Sequence, residues 1–130
     1  SGKTFALWGL AFKPETDDIR GAPAITIARH LCELGASVVA YDPQAINVAK
    51  EELHGLEVQY AENPYQATGN ADALIVVTEW LQFKQPDFRR LSNQLKSKTV
   101  FDGRNLYSPQ RCADYGLNYV GIGRSSMLYS

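Results

Sequence analysis

Short apolar runs alternate along this chain with stretches in which apolar residues recur every three to four positions, the signature of strands alternating with helices. Phe5-Ala6-Leu7-Trp8 reads as the first strand. Ala24, Ile27, Ala28 and Leu31 then fall at i, i+3, i+4 and i+7, which predicts a helix starting beside Pro23. Gly35 stops that pattern, and Ser37-Val38-Val39-Ala40-Tyr41 reads as a second strand buried on both faces. Asp42-Pro43 opens a helix through about Leu53, with Asp42 as its N-cap. Glu57-Val58-Gln59-Tyr60 fits a short third strand at the sheet edge, and Asn63-Pro64 opens a short helix to about Gly69.

Ala73-Leu74-Ile75-Val76-Val77 is the most apolar run and predicts a central strand, leading into Thr78-Glu79-Trp80-Leu81-Gln82-Phe83. A helix follows from about Pro86 with Phe88, Leu91 and Leu95 as its buried stripe, while Arg89, Arg90 and Lys96 form a solvated face. Thr99-Val100-Phe101 is the fifth strand and ends in Asp102-Gly103-Arg104-Asn105. Ser108-Pro109 caps a last short helix ended by Gly116, and residues 118–124 form an edge strand or extended tail. The pattern predicts an α/β fold: one domain over residues 1–130, a doubly wound, Rossmann-like parallel sheet of about five to six strands with helices on both faces. The first strand should lie next to the fourth, with the switch point between them.

The composition, 45% hydrophobic and 21% charged, is that of an ordinary soluble domain. A net charge of −1 leaves no long-range field for nucleic acid or an anionic membrane, so any recognition of phosphate must come from a few placed residues. The apolar runs are too short to span a membrane, and a cytoplasmic location is expected. Cys32 and Cys112 lack metal or redox spacing and read as reduced, mostly buried thiols. Ser1-Gly2 has the look of a remnant of tag removal, and the chain that of an excised domain.

Candidate chemistry lies where strands run into loops. The segment from Gly9 to Ala24 is longer than a plain strand-to-helix turn, carries Lys13 and Arg20, and ends at a helix start, which suits an anion. It converges with Thr78-Glu79-Trp80 and Asp102-Gly103-Arg104 if the sheet order is as predicted. Lys13 suits a phosphate or sugar hydroxyl as a mobile point charge, and the planar fork of Arg104 suits bidentate contacts. Arg20 serves either a ligand or an ion pair with Asp17 or Asp18 that shapes the loop. Asp42 stands where a dinucleotide fold holds a ribose hydroxyl, but the first loop lacks G-x-G-x-x-G, which favours the helix-cap role. Trp80 and Phe83 read as lids over the core rather than stacking platforms, and His30 and His54 receive no role. No metal site and no catalytic constellation is legible, so these residues alone describe a binder.

Four motifs in order, Gly9-Leu-Ala-Phe-Lys-Pro-x-Thr-Asp-Asp-x-Arg20-x-x-Pro23, Tyr41-Asp42-Pro43, Val77-Thr78-Glu79-Trp80-x-x-Phe83 and Phe101-Asp102-Gly103-Arg104-Asn105, resemble the C-terminal UDP-binding domain of the UDP-glucose 6-dehydrogenases, in the UDP-glucose/GDP-mannose dehydrogenase family. Ala71-Asp72-Ala73 and the Gly121-Ile122-Gly123-Arg124 ending fit as well. The resemblance implies an enzyme with an N-terminal NAD-binding domain, a central helical dimerisation region and this UDP-glucose lobe, a homodimer or larger. Such enzymes oxidise UDP-glucose to UDP-glucuronate with two NAD, through a thiohemiacetal and a thioester on a cysteine in an upstream segment. Neither Cys32 nor Cys112 matches that motif, so no catalytic residue is expected here and the lobe alone is expected to be inactive. By position, Phe12, Lys13 and Arg104 inherit contacts to the UDP-sugar, and Arg20 a place on the NAD side of the cleft. The alternatives are a lobe acting on UDP-N-acetylmannosamine or GDP-mannose, or a stand-alone nucleotide-binding or regulatory α/β module.

Overall fold

The apolar runs lie side by side. In the computed structural model, which describes residues 2–10, 23–78, 81–103 and 106–121, strands β1 (Thr4–Trp8), β2 (Ser37–Tyr41), β3 (Val58–Tyr60), β4 (Ala73–Val76), β5 (Thr99–Asp102) and β6 (Asn118–Gly121) form one sheet. Its order is β3-β2-β1-β4-β5-β6, and every neighbouring pair is parallel. The expected adjacency of the first and fourth strands is present, with Trp8 in register with Val76. All four residues of β4 are buried, as its uninterrupted apolar sequence requires of a central strand.

Helices α1 (Pro23–Glu33) and α2 (Ile46–Glu52) cover one face, closing Ala24, Ile25, Ala28 and Ala49 over Leu7, Val38, Ala40 and Ile75. The other face packs Ala6, Trp8, Leu74, Val76 and Val100 against α3 (Pro64–Thr68), α4 (Leu81–Lys84), α5 (Phe88–Gln94) and α6 (Pro109–Asp114) through Ala67, Phe83, Leu91 and Cys112. Alternate residues of each strand thus enter opposite cores, the period-2 geometry of a sheet covered on both sides. Polar side chains start three of the helices: Asn63, Asp87 and Ser108 accept from the backbone N–H of Gln66, Arg90 and Arg111. Helices α1 and α6 stop at Gly35 and Gly116, where Ala36 N–H reaches Leu31 and Leu117 N–H reaches Cys112.

The structure departs from the sequence expectation at several places. Helix α2 begins at Ile46, with Ala45 as an N-cap that makes no side-chain bond, rather than at Pro43 under an Asp42 cap. Asp42 Oδ1 instead accepts from Gln44 and Ala45 N–H, a turn that delays the helix. The segment after Thr78 contains α4, and Phe83 lies fully in the core, as a lid should. Strand β2 is fully buried only at Val38 and Ala40, with Val39 and Tyr41 packed partly buried against the other core, and Cys32 is half-buried rather than mostly buried. On α1, Ile25 joins Ala24 and Ala28 inside while Ile27 and Leu31 are half-buried. Among the described residues no helix is long and apolar enough to cross a membrane.

Candidate ligand-binding rim

A doubly wound sheet opens a crevice beyond the carboxyl ends of the strands where the crossovers diverge, here beyond β1 and β4. Three segments bound it: Gly9-Leu10 after β1, Val77-Thr78 after β4, and Asp102-Gly103 ending β5. Their backbones are bonded to the sheet itself. Gly9 N–H donates to Tyr41 O at 2.8 Å, Val77 N–H to Trp8 O at 3.1 Å, and Gly103 N–H to Val76 O at 2.8 Å.

Gly9 must be glycine. Its φ is +100°, and a Cβ there would stand 2.3 Å from Thr78 Oγ1 and 2.5 Å from Thr78 Cβ. The first segment therefore lies directly on the second.

Two buried aspartates shape the flanks. Asp42, 2% exposed, accepts from Leu10 N–H through Oδ2 at 2.8 Å and from the Gln44 and Ala45 amides through Oδ1, so it ties the segment leaving β1 to the end of β2. Asp102, fully buried, accepts through Oδ2 from Tyr107 N–H at 2.9 Å and from the Tyr119 hydroxyl at 3.0 Å. Burial first, and then the Asp102 charge, hold the Tyr107 phenol well above its ordinary range, so it stays a donor. The same two causes push the Cys112 thiol up to about 11, which leaves it an inert member of the core rather than a nucleophile.

Phe12, Lys13 and Arg20, with Asp17 and Asp18, lie outside the described residues, as do Glu79, Trp80 and Arg104. The described chain brings together the ends from which their segments depart: Leu10, Thr78 and Gly103 follow β1, β4 and β5, which are adjacent in the sheet. Sequence reasoning missed the supporting contacts. Tyr107, bonded to Asp102, carries no motif of its own, and the packing of Thr78 against Gly9 is not visible in the motif that contains Thr78; a lone aspartate closing the apolar strand Thr99–Asp102 was the available signal. A separate cavity of about 620 Å³ opens beside β2 and β3, lined by residues such as Gln59, Gln66 and Asn70 and by none of the rim residues.

The described residues of the rim do not match the way a Rossmann fold holds a dinucleotide. The volume beside Gly9 that a pyrophosphate would approach is filled by Thr78, and the acid after β2, Asp42, is buried against backbone amides rather than presented to a ribose. Among the described residues no group of three or more His, Cys, Asp or Glu could hold a metal ion.

Comparison with known proteins agrees with this architecture. The chain is 44% identical, over 95% of its length, to the UDP-glucose 6-dehydrogenase of Pseudomonas aeruginosa, and covers 28% of that protein. Its fold matches a UDP-glucose dehydrogenase from Pyrobaculum islandicum with a TM-score of 0.77 and 34% identity, covering 94% of this chain and 26% of that one. A UDP-D-ManNAc dehydrogenase from Pyrococcus horikoshii matches with a TM-score of 0.74 and 26% identity, covering 97% of this chain and 27% of that one. The chain thus spans little more than a quarter of the relatives it resembles. Residues 6–109 match the UDP binding domain of the UDP-glucose/GDP-mannose dehydrogenase family, and the chain belongs to that family.

Proposed function

We propose that this chain is the UDP-sugar lobe of a UDP-glucose 6-dehydrogenase, the enzyme that oxidises UDP-glucose to UDP-glucuronate with two NAD. The observation that carries the reading is the convergence at one switch point of the three strand ends that lead into the Phe12-Lys13, Glu79-Trp80 and Arg104 segments. A diphosphate needs two or more cationic or amide donors from different segments, and Lys13 and Arg104 belong to the segments that follow β1 and β5, the two strands flanking β4. Phe12 offers an apolar wall. NAD belongs mainly to another lobe, with Arg20 assigned to the NAD side of the cleft, consistent with described rim residues that do not match a Rossmann dinucleotide site. The partners are then UDP-glucose, an NAD-binding domain and a helical region of the same polypeptide, in a homodimer or larger assembly.

A UDP-N-acetylmannosamine substrate is the second reading, favoured by the fold shared with the Pyrococcus horikoshii protein. The higher identity to UDP-glucose 6-dehydrogenase favours glucose. Calorimetric titration of the chain with UDP-glucose, UDP-N-acetylmannosamine and NAD tests the reading. Saturable binding of UDP-glucose in preference to the other two is expected, and preferential binding of NAD would overturn it.

A further inference from the structure

Tyr107 joins the three walls of the rim. Its N–H donates to Asp102 Oδ2, which closes residues 102–107 back onto the end of β5, and its hydroxyl donates to the Phe83 carbonyl in α4 at 2.6 Å. Phe83 follows the Thr78-Glu79-Trp80 segment and stacks on Trp8 with ring centroids 5.2 Å apart at 21°. Trp8 is the residue before Gly9, and its indole N–H is fixed on Pro64 O at 2.9 Å. The ring of Tyr107 is held edge-on against Phe88, with centroids 5.5 Å apart. Asp102, Phe83 and Trp8 are fully buried and Tyr107 is 3% exposed, so the chain of contacts is dry. Hydrogen bonds in such surroundings are stiff, because breaking one leaves a buried polar atom without water.

We propose that Tyr107 is a positioning residue for the sugar nucleotide, its hydroxyl setting the spacing between the α4 wall and the Asp102-Gly103 segment that leads to Arg104. The proposal rests on the reading of this chain as a UDP-sugar lobe. Tyr107 touches no ligand; it acts by keeping two walls in register. Loss of its hydroxyl leaves the Phe83 carbonyl buried and unpaired, and the two segments drift relative to each other.

The test compares the unaltered chain, Tyr107→Phe and Thr68→Val. Thr68 is fully buried, its hydroxyl lies within hydrogen-bond distance of Gln94 Oε1 and Tyr65 O, and it ends α3 rather than lining the rim, so Thr68→Val deletes a buried hydroxyl elsewhere. UDP-glucose affinity is read by calorimetry and unfolding by urea. Tyr107→Phe should bind about five- to tenfold more weakly, while Thr68→Val, similarly destabilised, stays within about twofold. In the ligand-free proteins, the amide resonances of Thr78 and Gly103 should both shift in Tyr107→Phe and not in Thr68→Val. Unchanged affinity in Tyr107→Phe, or an equal loss in both variants, would overturn the proposal while leaving the lobe assignment standing. Failure of the unaltered chain to bind UDP-glucose would overturn the lobe assignment and this proposal together.

Discussion

Gly9→Ala is the sharpest test of how the rim is built. The added methyl meets two separable penalties. One is conformational: φ is +100°, a region that L side chains rarely occupy, and holding a residue there costs about 1–3 kcal/mol. The other is steric: the Cβ lies 2.3 Å from Thr78 Oγ1, 2.5 Å from Thr78 Cβ and 3.0 Å from Thr78 N, so part of the obstruction is backbone. Overpacking of this kind costs about 1–3 kcal/mol. The sum, about 2–6 kcal/mol, is a large share of the about 5–15 kcal/mol that holds a domain folded. Gly55 isolates the first penalty, because its φ is +88° and nothing stands within 4 Å of an added Cβ. Urea unfolding should show Gly9→Ala falling below Gly55→Ala by about 1–3 kcal/mol with the m-value unchanged. Adding Thr78→Gly removes Oγ1 and Cβ, so a double-mutant cycle should return a favourable coupling of about 1–2 kcal/mol. Equal costs at Gly9 and Gly55, or a coupling indistinguishable from zero, would refute the close approach of the two segments.

Three further outcomes follow, the first from the proposed function and the others from the structure. Lys13→Ala and Arg104→Ala should each weaken UDP-glucose binding about tenfold or more by calorimetry while leaving the unfolding free energy within about 0.5 kcal/mol, as loss of a charge-assisted ligand contact does. Asp42→Ala removes the acceptor for Leu10, Gln44 and Ala45 N–H and should cost about 2–4 kcal/mol in urea unfolding, with Asp42→Asn intermediate. Cys112 predicts an alkaline limit: its thiol, ordinarily at 9.0, is held to about 11 by burial and then by Asp102, so the native state keeps a proton that the unfolded chain releases. Its share of stability is complete below the lower value and declines as pH rises to the upper one, so Cys112→Ala should flatten the stability–pH curve in that window; an unchanged slope would remove Cys112 as its source.

The sheet was legible because its strands are short apolar runs whose boundaries are set by Gly, Pro and Asp, and because a right-handed crossover leaves few ways to order them. Five of the six strands were bounded to within one residue of where they lie, and the sixth begins at the expected Asn118. What could not be read was tertiary. Asp42 carries every local mark of a helix cap, yet Leu10, distant in sequence, supplies a donor that only the folded β1–β2 pair brings within reach. Helix α4 is four residues long, too short for any periodic signal, and Phe83 is drawn into the core by the Trp8 ring rather than by a stripe of its own. The candidate site followed the same division: the motifs picked out Asp42, Thr78 and Asp102, but not the contacts by which they hold the rim, nor Tyr107, which has no motif.

That division bears on what the lobe can bind. Among the described residues of the rim, the acidic side chains Asp42 and Asp102 face inward: they are 2% and 0% exposed, and both accept backbone N–H groups at segment ends. Neither offers a carboxylate to a ribose, and neither places an exposed negative charge beside an incoming diphosphate. The cationic candidates Lys13, Arg20 and Arg104 all belong to the departing segments. Such a rim should distinguish a nucleotide sugar from a dinucleotide by what it withholds. Titration of NAD into the isotopically labelled chain should leave the Leu10, Gln44 and Ala45 amides unmoved, since the carboxylate that would greet the ribose is already bonded to them. Saturable shifts of those three amides with NAD would show that Asp42 can be drawn out of the backbone, and the case against a dinucleotide at this switch point would fail.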